Sequence, residues 1–553
     1  MVALAGAVAV VLSMAPEATA RTRHHKASGT ATFIAHGSAE QVYVVGLTPF
    51  EKMSLLDRGA RTVATKAADS LGGLLFRNVR PGSGYRVRVF PGGPESGPLT
   101  VLSNRPAPPS TSIYRQTIPS NGYGYLTTRD GTKLAIYVHP PTSPAGLPGL
   151  PPGATLPAGL PLPNTTASGP PWPTLIEYSG YGYADPSGPQ SGIAVIANAL
   201  GFAVVDVNMR GTGCSGGAFD FFERLQDLDG YDVIETVARQ PWVLNHKVGM
   251  LGISYGGISQ LFTAQLDPPS LAAIAPLSVI DQTQTTLYPG GILNTGFAVA
   301  WAKERIHDAK PASPDGGQPW AYQRIQQGDQ TCKANQVLHG EAANLLAKIR
   351  ANNHYKPNVA DPVSPITFVN KIKVPVFMAC QFTDEQTGGH CPDLSEHFTG
   401  THRKWFAFTN GTHVDSLDPY TFNRWYDFLE LYVAKQAPII NSLTVQVVGP
   451  AVYQEAMGIP GVTMPADPIQ QQTTYAGALA AFEQLPPIRV LFENGGGRNP
   501  GEPYPTFEQS FSRFPIPGTT ARRWYLSAGG ALADRPPGRA GANSFTWNPH
   551  ARP

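Results

Sequence analysis

The sequence predicts an α/β core, a mostly parallel sheet with helices on both faces, flanked on either side by β-rich domains. Three observations predict it. Apolar runs alternate with helical patterns from about Thr174 to Gln436, the rhythm of strands buried on both faces and crossed by helices. Short β-like runs, broken by Gly, Asp and Pro, occupy the stretches before and after. The 58 Gly and 54 Pro among 553 residues favour turns and strands over helices.

Length and composition narrow the classes. A chain of 553 residues exceeds one ordinary domain. With 42% hydrophobic and 10% aromatic residues against 14% charged, disorder is excluded. The balance of 41 Lys+Arg and 39 Asp+Glu gives a net charge of +2. No basic tract tracks a phosphate backbone, so nucleic acid is not expected as a partner.

The elements follow in chain order. Val2–Met14 is an apolar run ahead of Ala18-Thr19-Ala20, which reads as an export signal over 1–20 although no Lys or Arg precedes it. The run is too short to span a bilayer, and the mature, secreted or envelope-associated chain would begin near Arg21. Over 28–106, the runs Gln41–Val45, Arg61–Lys66, Leu74–Val79 and Tyr85–Phe90 suggest a small sandwich of immunoglobulin or fibronectin type. That sandwich carries no constellation for chemistry.

The core is placed over 107–437. It opens with a hairpin, Gly124–Thr128 and Lys133–Val138 around Asp130-Gly131. Pro140–Pro173 then holds 12 Pro, 5 Gly and no charge, and reads as a loop insertion with an Asn164-Thr165-Thr166 sequon. Strands are expected at Thr174–Tyr178, Phe202–Asn208, Lys247–Leu251, Leu271–Ile280, Val374–Ala379 and Trp405–Thr409. Helices are expected at Gln226–Arg239 and Pro419–Gln436. Helical patterns at Gly291–Arg305 and Ala334–Asn352 form an insertion, about 281–365, placed to cap a ligand site at the strand ends. A second β domain is expected over 438–553 from Ser442–Val448, Ile488–Phe492, Ser510–Phe514 and Arg522–Leu526.

Export gives the four cysteines an oxidising setting. Local spacing pairs Cys380 with Cys391 and leaves Cys214 with Cys332. No Cys or His grouping has zinc spacing, so neither metal nor cofactor is expected.

Chemistry enters at Gly252-Ile253-Ser254-Tyr255-Gly256-Gly257, between a strand and a helical run. G-x-S-x-G in that context is a nucleophile elbow: a strained turn exposes the hydroxyl while the glycines let strand and helix pack. Serine needs a base held by an acid, in the chain order Ser, Asp or Glu, His. His413 follows a late strand in Asn410-Gly411-Thr412-His413, and Asp384 follows another in Gln381-Phe382-Thr383-Asp384. Both would stand on loops at the carboxyl edge of the sheet. Asp384 is preferred to Glu385, which points differently, and to Asp415, which is too near His413 in sequence to bridge its ring.

From Tyr123 to about Trp547 the chain resembles the Xaa-Pro dipeptidyl-peptidase and cocaine esterase family of α/β-hydrolase serine hydrolases. The motifs are Tyr125-Leu126-Thr127-Thr128-Arg129-Asp130-Gly131, Arg210-Gly211-Thr212-Gly213, Ser215-Gly216-Gly217, Asp229-Gly230-Tyr231-Asp232 and Gln240-Pro241-Trp242, with the Ser254 elbow and the Asp384 and His413 loops. The resemblance implies Ser254 as nucleophile, Asp384 as acid and His413 as base. It also implies an oxyanion hole from the Tyr255 amide and a tyrosine hydroxyl, matched at Tyr181 with Tyr178 and Tyr183 as rivals. Arg210 and Gly211 are expected to shape a loop beside the site, and Asp227, Asp229 and Asp232 to cap the following helix.

Two departures stand out. The family's C-terminal jelly roll continues past a segment like Asn543–Trp547, whereas the sequence stops at Pro553, so an incomplete jelly-roll-like domain is expected. The N-terminal sandwich is additional to the family plan. The expected activity is an exported hydrolase of acyl esters or amides, acting on a small molecule or short peptide through an acyl-enzyme. A dipeptidyl-peptidase would instead need an anionic clamp for a free amine, for which Glu304, Asp308, Asp315 and Asp329 in the cap are candidates. A non-catalytic binding protein on the same scaffold is the remaining alternative.

Overall fold

A computed structural model describes residues 32–141, 169–188, 191–440, 446, 449–450, 453–454, 459–496, 500–546, 548 and 550. The expected export signal, most of the Pro-rich insertion with its Asn164 sequon, most of the run Ser442–Val448, and Trp547 lie outside the described residues. The chain divides into two compact units, Met1–Ser103 and Asn104–Pro553.

The first unit is a seven-stranded sandwich. Its strands are β1 (Ile34–Ser38), β2 (Gln41–Val45), β3 (Lys52–Leu56), β4 (Thr62–Ala67), β5 (Leu74–Phe76), β6 (Gly82–Val89) and β7 (Leu99–Val101). One sheet runs β1-β2-β5 and the other β4-β3-β6-β7. Val42, Val44, Leu74 and Phe76 of the first pack on Met53, Leu55, Val87 and Val101 of the second in one core. Alternate residues point inward along β2 and β6, which is why short runs suffice.

The second unit is built on ten strands: β8 (Gly122–Thr127), β9 (Lys133–His139), β10 (Trp172–Ser179), β11 (Ala203–Asn208), β12 (Val243–Ile253), β13 (Leu271–Leu277), β14 (Val376–Gln381), β15 (Lys404–Thr409), β16 (Ile488–Phe492) and β17 (Phe507–Phe511). Their order is β17-β16-β15-β14-β13-β12-β10-β11-β9-β8. Pairing is parallel from β11 through β16 and antiparallel at both ends. This is an α/β-hydrolase-type sheet.

Neighbouring residues on each central strand serve opposite layers. Ile176, Val205, Met250, Met378 and Phe406 join one cluster, and Leu175, Val204, Leu251, Phe377 and Trp405 the other. Helices α2 (Arg224–Ala238) and α3 (Tyr255–Ala264) cover the first face through Ile234, Val237, Leu261 and Phe262. Helix α1 (Gly192–Ala199) and the helix Pro419–Leu429 cover the second through Ile193, Ala197, Trp425 and Leu429. Two-sided burial explains the continuous apolar runs.

Between β13 and β14 lie short helices, among them Thr283–Leu287, Ala298–Asp308, Leu345–Ala351 and Pro357–Ala360. The pattern expected as one helix over Ala334–Asn352 is broken by a 3-10 turn, Gln336–Glu341, that contains Gly340.

Two expectations are corrected. The β runs assigned to a C-terminal jelly-roll-like domain do not make a separate body. β16 pairs in parallel with β15, Phe406 opposite Ile488, and β17 closes that edge antiparallel. Local strand patterns cannot tell which edge they will join; Ile488, Val490 and Leu491 are buried because they extend the central sheet. The run Arg522–Leu526 contributes only Tyr525–Leu526, paired with Leu532–Ala533.

The aspartates expected to cap α2 lie inside it instead. Asp229 accepts from Arg210 Nε at 2.8 Å and Nη2 at 2.7 Å, and Asp130 accepts from Arg210 Nη1 at 3.0 Å. Asp232 takes Arg129 Nη2 and the Tyr114 hydroxyl, each at 2.8 Å. Asp227 pairs with Arg224 in the first turn. Arginine clamps fasten α2 to the β8–β9 hairpin and the Arg210 loop. Removing one partner of such a buried pair costs roughly 3–5 kcal/mol.

Glu430, buried where the closing helix turns into a π-helical turn, accepts from Gln436 Nε2 at 2.6 Å. Burial pushes its carboxyl up to about 8, against the opposing Gln436 hydrogen bond. The folded chain therefore holds a proton that the unfolded chain releases, so stability falls as pH rises from the ordinary glutamate value toward 8. Glu430→Gln is expected to melt about 2 °C or more above wild type at pH 8. The gap should close near pH 4, a comparison read from thermal unfolding at the two values.

Candidate active site

The elbow forms because β12 runs into α3 with a single residue, Ser254, between them. Ser254 sits at φ 59°, ψ −122°. That conformation costs a side-chain-bearing residue on the order of 1–3 kcal/mol. Its surroundings hold it there. The Ser254 amide donates to the Leu277 carbonyl at 2.9 Å, tying the turn to the end of β13. Gly252, at φ 145°, passes so close to Gly256 that a Cβ would lie 2.5 Å from its carbonyl carbon. A Cβ on Gly257 would lie 2.6 Å from the Leu277 oxygen. Glycine is required at both positions by contact.

Asp384 and His413 are brought together. β14 and β15 are in register through Gln381 opposite Thr409, so the loops that follow leave the sheet side by side. The Thr383 hydroxyl donates to the Gly411 carbonyl at 2.8 Å, and the disulfide Cys380–Cys391 ties β14 to the far end of the Asp384 loop. Asp384 Oδ1 accepts the amides of Gln386 and Thr387, both at 2.8 Å. Oδ2 meets His413 Nδ1 at 2.7 Å. Burial alone would raise the Asp384 carboxyl, but the His413 hydrogen bond and charge, with Thr387, outweigh it and hold the group below its ordinary value. Asp384 is the charged orienter of the imidazole.

The rivals do other work. Glu385 accepts the His413 backbone amide at 2.9 Å, and Asp415 accepts the Thr412 amide at 2.7 Å in a capping box. Ser278 Oγ lies 2.7 Å from the His413 carbonyl and 2.8 Å from Gln381 Oε1. The far nitrogen of the ring, His413 Nε2, is buried without a hydrogen-bond partner. Ser254 Oγ is turned toward Tyr181, whose hydroxyl is 3.4 Å away.

Of the three tyrosines considered, Tyr181 is the one that reaches Ser254. Tyr178 spends its hydroxyl on the Gln226 carbonyl at 2.9 Å, and Tyr183 stands edge-on to the Tyr181 ring. Burial pushes both the Tyr178 and Tyr183 phenols up. Two residues absent from the sequence reading complete the arrangement. Trp301 Nε1 donates to Tyr181 Oη at 2.9 Å, leaving the phenol's own proton available on the Ser254 side. The Arg305 guanidinium lies 4.6 Å from the centre of the Tyr181 ring and is held by Asp308 at 2.8 Å. Both sit on the helix Ala298–Asp308, within the helical pattern read at Gly291–Arg305, but more than a hundred residues from Tyr181. Tyr255 is the first residue of α3, so its amide has no acceptor within the helix.

A cavity of about 170 Å³ opens from Ser254 and Tyr255 beneath the cap. Its wall is chiefly apolar, with Phe221, Ile258, Leu287, Trp301 and Ile349 among the residues facing it. No Asp or Glu among the described residues lines it. Of the four cap acids, Glu304 and Asp315 are exposed, and Asp308 is paired with Arg305. Asp329 caps the helix Gln330–Asn335 and pairs with Arg324 at 2.8 Å. The disulfide Cys214–Cys332 joins this part of the cap to the Arg210 loop.

The X-Pro dipeptidyl-peptidase (S15 family) model matches residues 152–415. Putative serine esterases of Mycobacterium bovis and Mycobacterium tuberculosis are each 32% identical over 188 residues, which is 32% of this chain and 28% of theirs. The match thus spans less than a third of those relatives' length. A CocE/NonD family hydrolase from Staphylococcus aureus aligns over 74% of this chain and 58% of its own, with 17% identity and a TM-score of 0.48. An α-amino acid ester hydrolase aligns over 79% and 67%, with 15% identity and a TM-score of 0.39.

The close packing of the elbow makes a stability prediction. Gly257→Ala forces a methyl against the Leu277 carbonyl and is expected to cost about 1–3 kcal/mol. The measurement is denaturant unfolding, and a midpoint equal to wild type would show that the contact is not restrictive.

Proposed function

Because residues 152–415 match the model of the X-Pro dipeptidyl-peptidase (S15 family), we propose that the chain is an exported serine hydrolase that cleaves acyl esters or amides through an acyl-enzyme on Ser254. The observation that carries it is the Asp384–His413 pair at 2.7 Å, whose ring leaves Nε2 free of any partner at the same sheet edge as the strained Ser254. In this reading Ser254 Oγ turns from Tyr181 to His413, bonds to the carbonyl carbon and gives its proton to Nε2. The oxyanion is met by the Tyr255 amide and the Tyr181 hydroxyl. Collapse expels the alcohol or amine, which takes the proton back from His413. Water repeats the sequence and frees the acid.

No Asp or Glu among the described residues lines the cavity, which favours this reading over dipeptide release, because an anionic partner best offsets the burial of a substrate ammonium. Two disulfides support export into an oxidising compartment. No helix among the described residues is long and apolar enough to cross a membrane.

A fluorophosphonate probe is expected to label the wild type at Ser254 and to fail on Ser254→Ala. His413→Ala should label far more slowly. Absence of labelling on folded wild type would leave only a binding scaffold. Tyr181→Phe should lower kcat by roughly 100-fold or more, and Trp301→Phe, which removes the N–H held by that phenol and part of the cavity wall, by roughly 10-fold. An unchanged kcat in Tyr181→Phe would take the hydroxyl out of the oxyanion hole.

A further inference from the structure

A buried cation on the helix Ala298–Asp308 stands against the tyrosine proposed for the oxyanion hole. We infer that Arg305 is a positioning residue for that tyrosine: its guanidinium, laid over the Tyr181 ring, makes the phenol a stronger hydrogen-bond donor as negative charge gathers on the substrate. The inference rests on the oxyanion role proposed for Tyr181 and adds the group behind it.

Packing alone does not call for a charge here. Arg305 is only 8% exposed, so its guanidinium has left most of its water behind. Asp308 meets Nη2 at 2.8 Å, while Glu304 lies 3.6 Å away with most of its side chain in water. The Nε donor is buried without a hydrogen-bond partner among the described residues. An aliphatic side chain would fill the same space with no unmet donor, and buried ions replaced in this way often cost no stability. What the guanidinium faces instead is aromatic. The centre of the Tyr181 ring is 4.6 Å away and that of Trp301 5.4 Å.

Tyr181 is thus engaged at two points besides its own proton. The Trp301 N–H donates to its oxygen at 2.9 Å, and the Arg305 charge lies over its ring. Both draw electron density away from the phenol oxygen, the direction that strengthens its O–H as a donor. That hydroxyl is 3.4 Å from Ser254 Oγ, the atom that would bond to the substrate carbonyl carbon. As an oxyanion forms and leans on the hydroxyl, the phenol oxygen gains negative charge and its attraction to the guanidinium grows. A neutral carbonyl draws far less on it, so the gain belongs to the transition state rather than to substrate binding. No proton or electron changes hands at Arg305.

The test measures p-nitrophenyl acetate hydrolysis by the full chain in two backgrounds. Arg305→Met, which keeps the bulk and removes the charge, is expected to lower kcat roughly 10-fold or more with KM within about two-fold of wild type. Arg305→Lys, which keeps the charge, should recover at least about a third of the wild-type kcat. In Tyr181→Phe, adding Arg305→Met should lower kcat by less than about two-fold further, because the hydroxyl it acts through is gone. Trifluoroacetophenone, which Ser254 Oγ attacks to leave an oxyanion, should bind roughly 10-fold more weakly to Arg305→Met. Equal losses in both backgrounds, or equal losses in the Lys and Met variants, show a packing role and overturn the inference. So does an unchanged kcat in Arg305→Met. An unchanged kcat in Tyr181→Phe alone removes the oxyanion reading and this inference with it, which keeps the two failures apart. If Arg305→Met does not fold, Arg305→Gln, which can still donate to Asp308, takes its place. If neither folds, the cation serves the fold and the inference falls.

Discussion

The hydrogen bond from the Ser254 amide to the Leu277 carbonyl fixes the origin from which the rest of the site is laid out. It fastens the elbow to the neighbouring strand at the place where the chain is most strained. The same carbonyl sits against Gly257, so one oxygen both receives the turn and sets the closeness of α3 to the sheet. From β13 outward, parallel register brings the ends of β14 and β15 level, and the acid and imidazole loops rise next to each other. The backbone of adjacent strands positions all three side chains before any of them touches another.

The second organising feature is the way the cap is bound to the core. Cys332 of the cap is joined to Cys214, four residues beyond the twice-clamped Arg210. Gln318 of the cap donates to the Gly180 carbonyl at 2.9 Å, next to Tyr181, and Trp301 donates to Tyr181 itself. The tyrosine thus belongs to a core loop but is oriented by the cap. Trp301 and Gln318 of the cap thus reach the Tyr181 loop, while the disulfide ties the cap to the Arg210 loop.

What the sequence revealed and concealed divides by distance along the chain. The elbow was legible because its chemistry is local: glycines, a serine, a strand before and a helix after. Asp384 and His413 were legible because each directly follows an apolar run, and parallel strands place such positions at one edge. Both disulfides follow from four cysteines and one short spacing. Trp301 and Arg305 were not legible, since nothing in a helical pattern names the aromatic ring it will meet 120 residues earlier. The fate of Ile488–Phe492 was hidden for a similar reason, because strand propensity does not specify a partner. The aspartates of α2 misled because Asp near a helix start normally signals a cap, whereas buried arginines elsewhere in the chain claimed Asp229 and Asp232, and Asp227 pairs with Arg224 within the helix.

Trp301 has two faces in the structure: its indole walls the cavity and its N–H holds the Tyr181 hydroxyl. In the proposed mechanism, ground-state fit and transition-state support would meet in one side chain. A substrate group packed in the cavity would also steady the indole, and with it the phenol proposed to meet the developing negative charge. A group too small to touch the indole leaves that phenol less constrained. Discrimination built this way is expressed in turnover as well as in affinity, because contact far from the carbonyl sharpens the donor at the carbonyl.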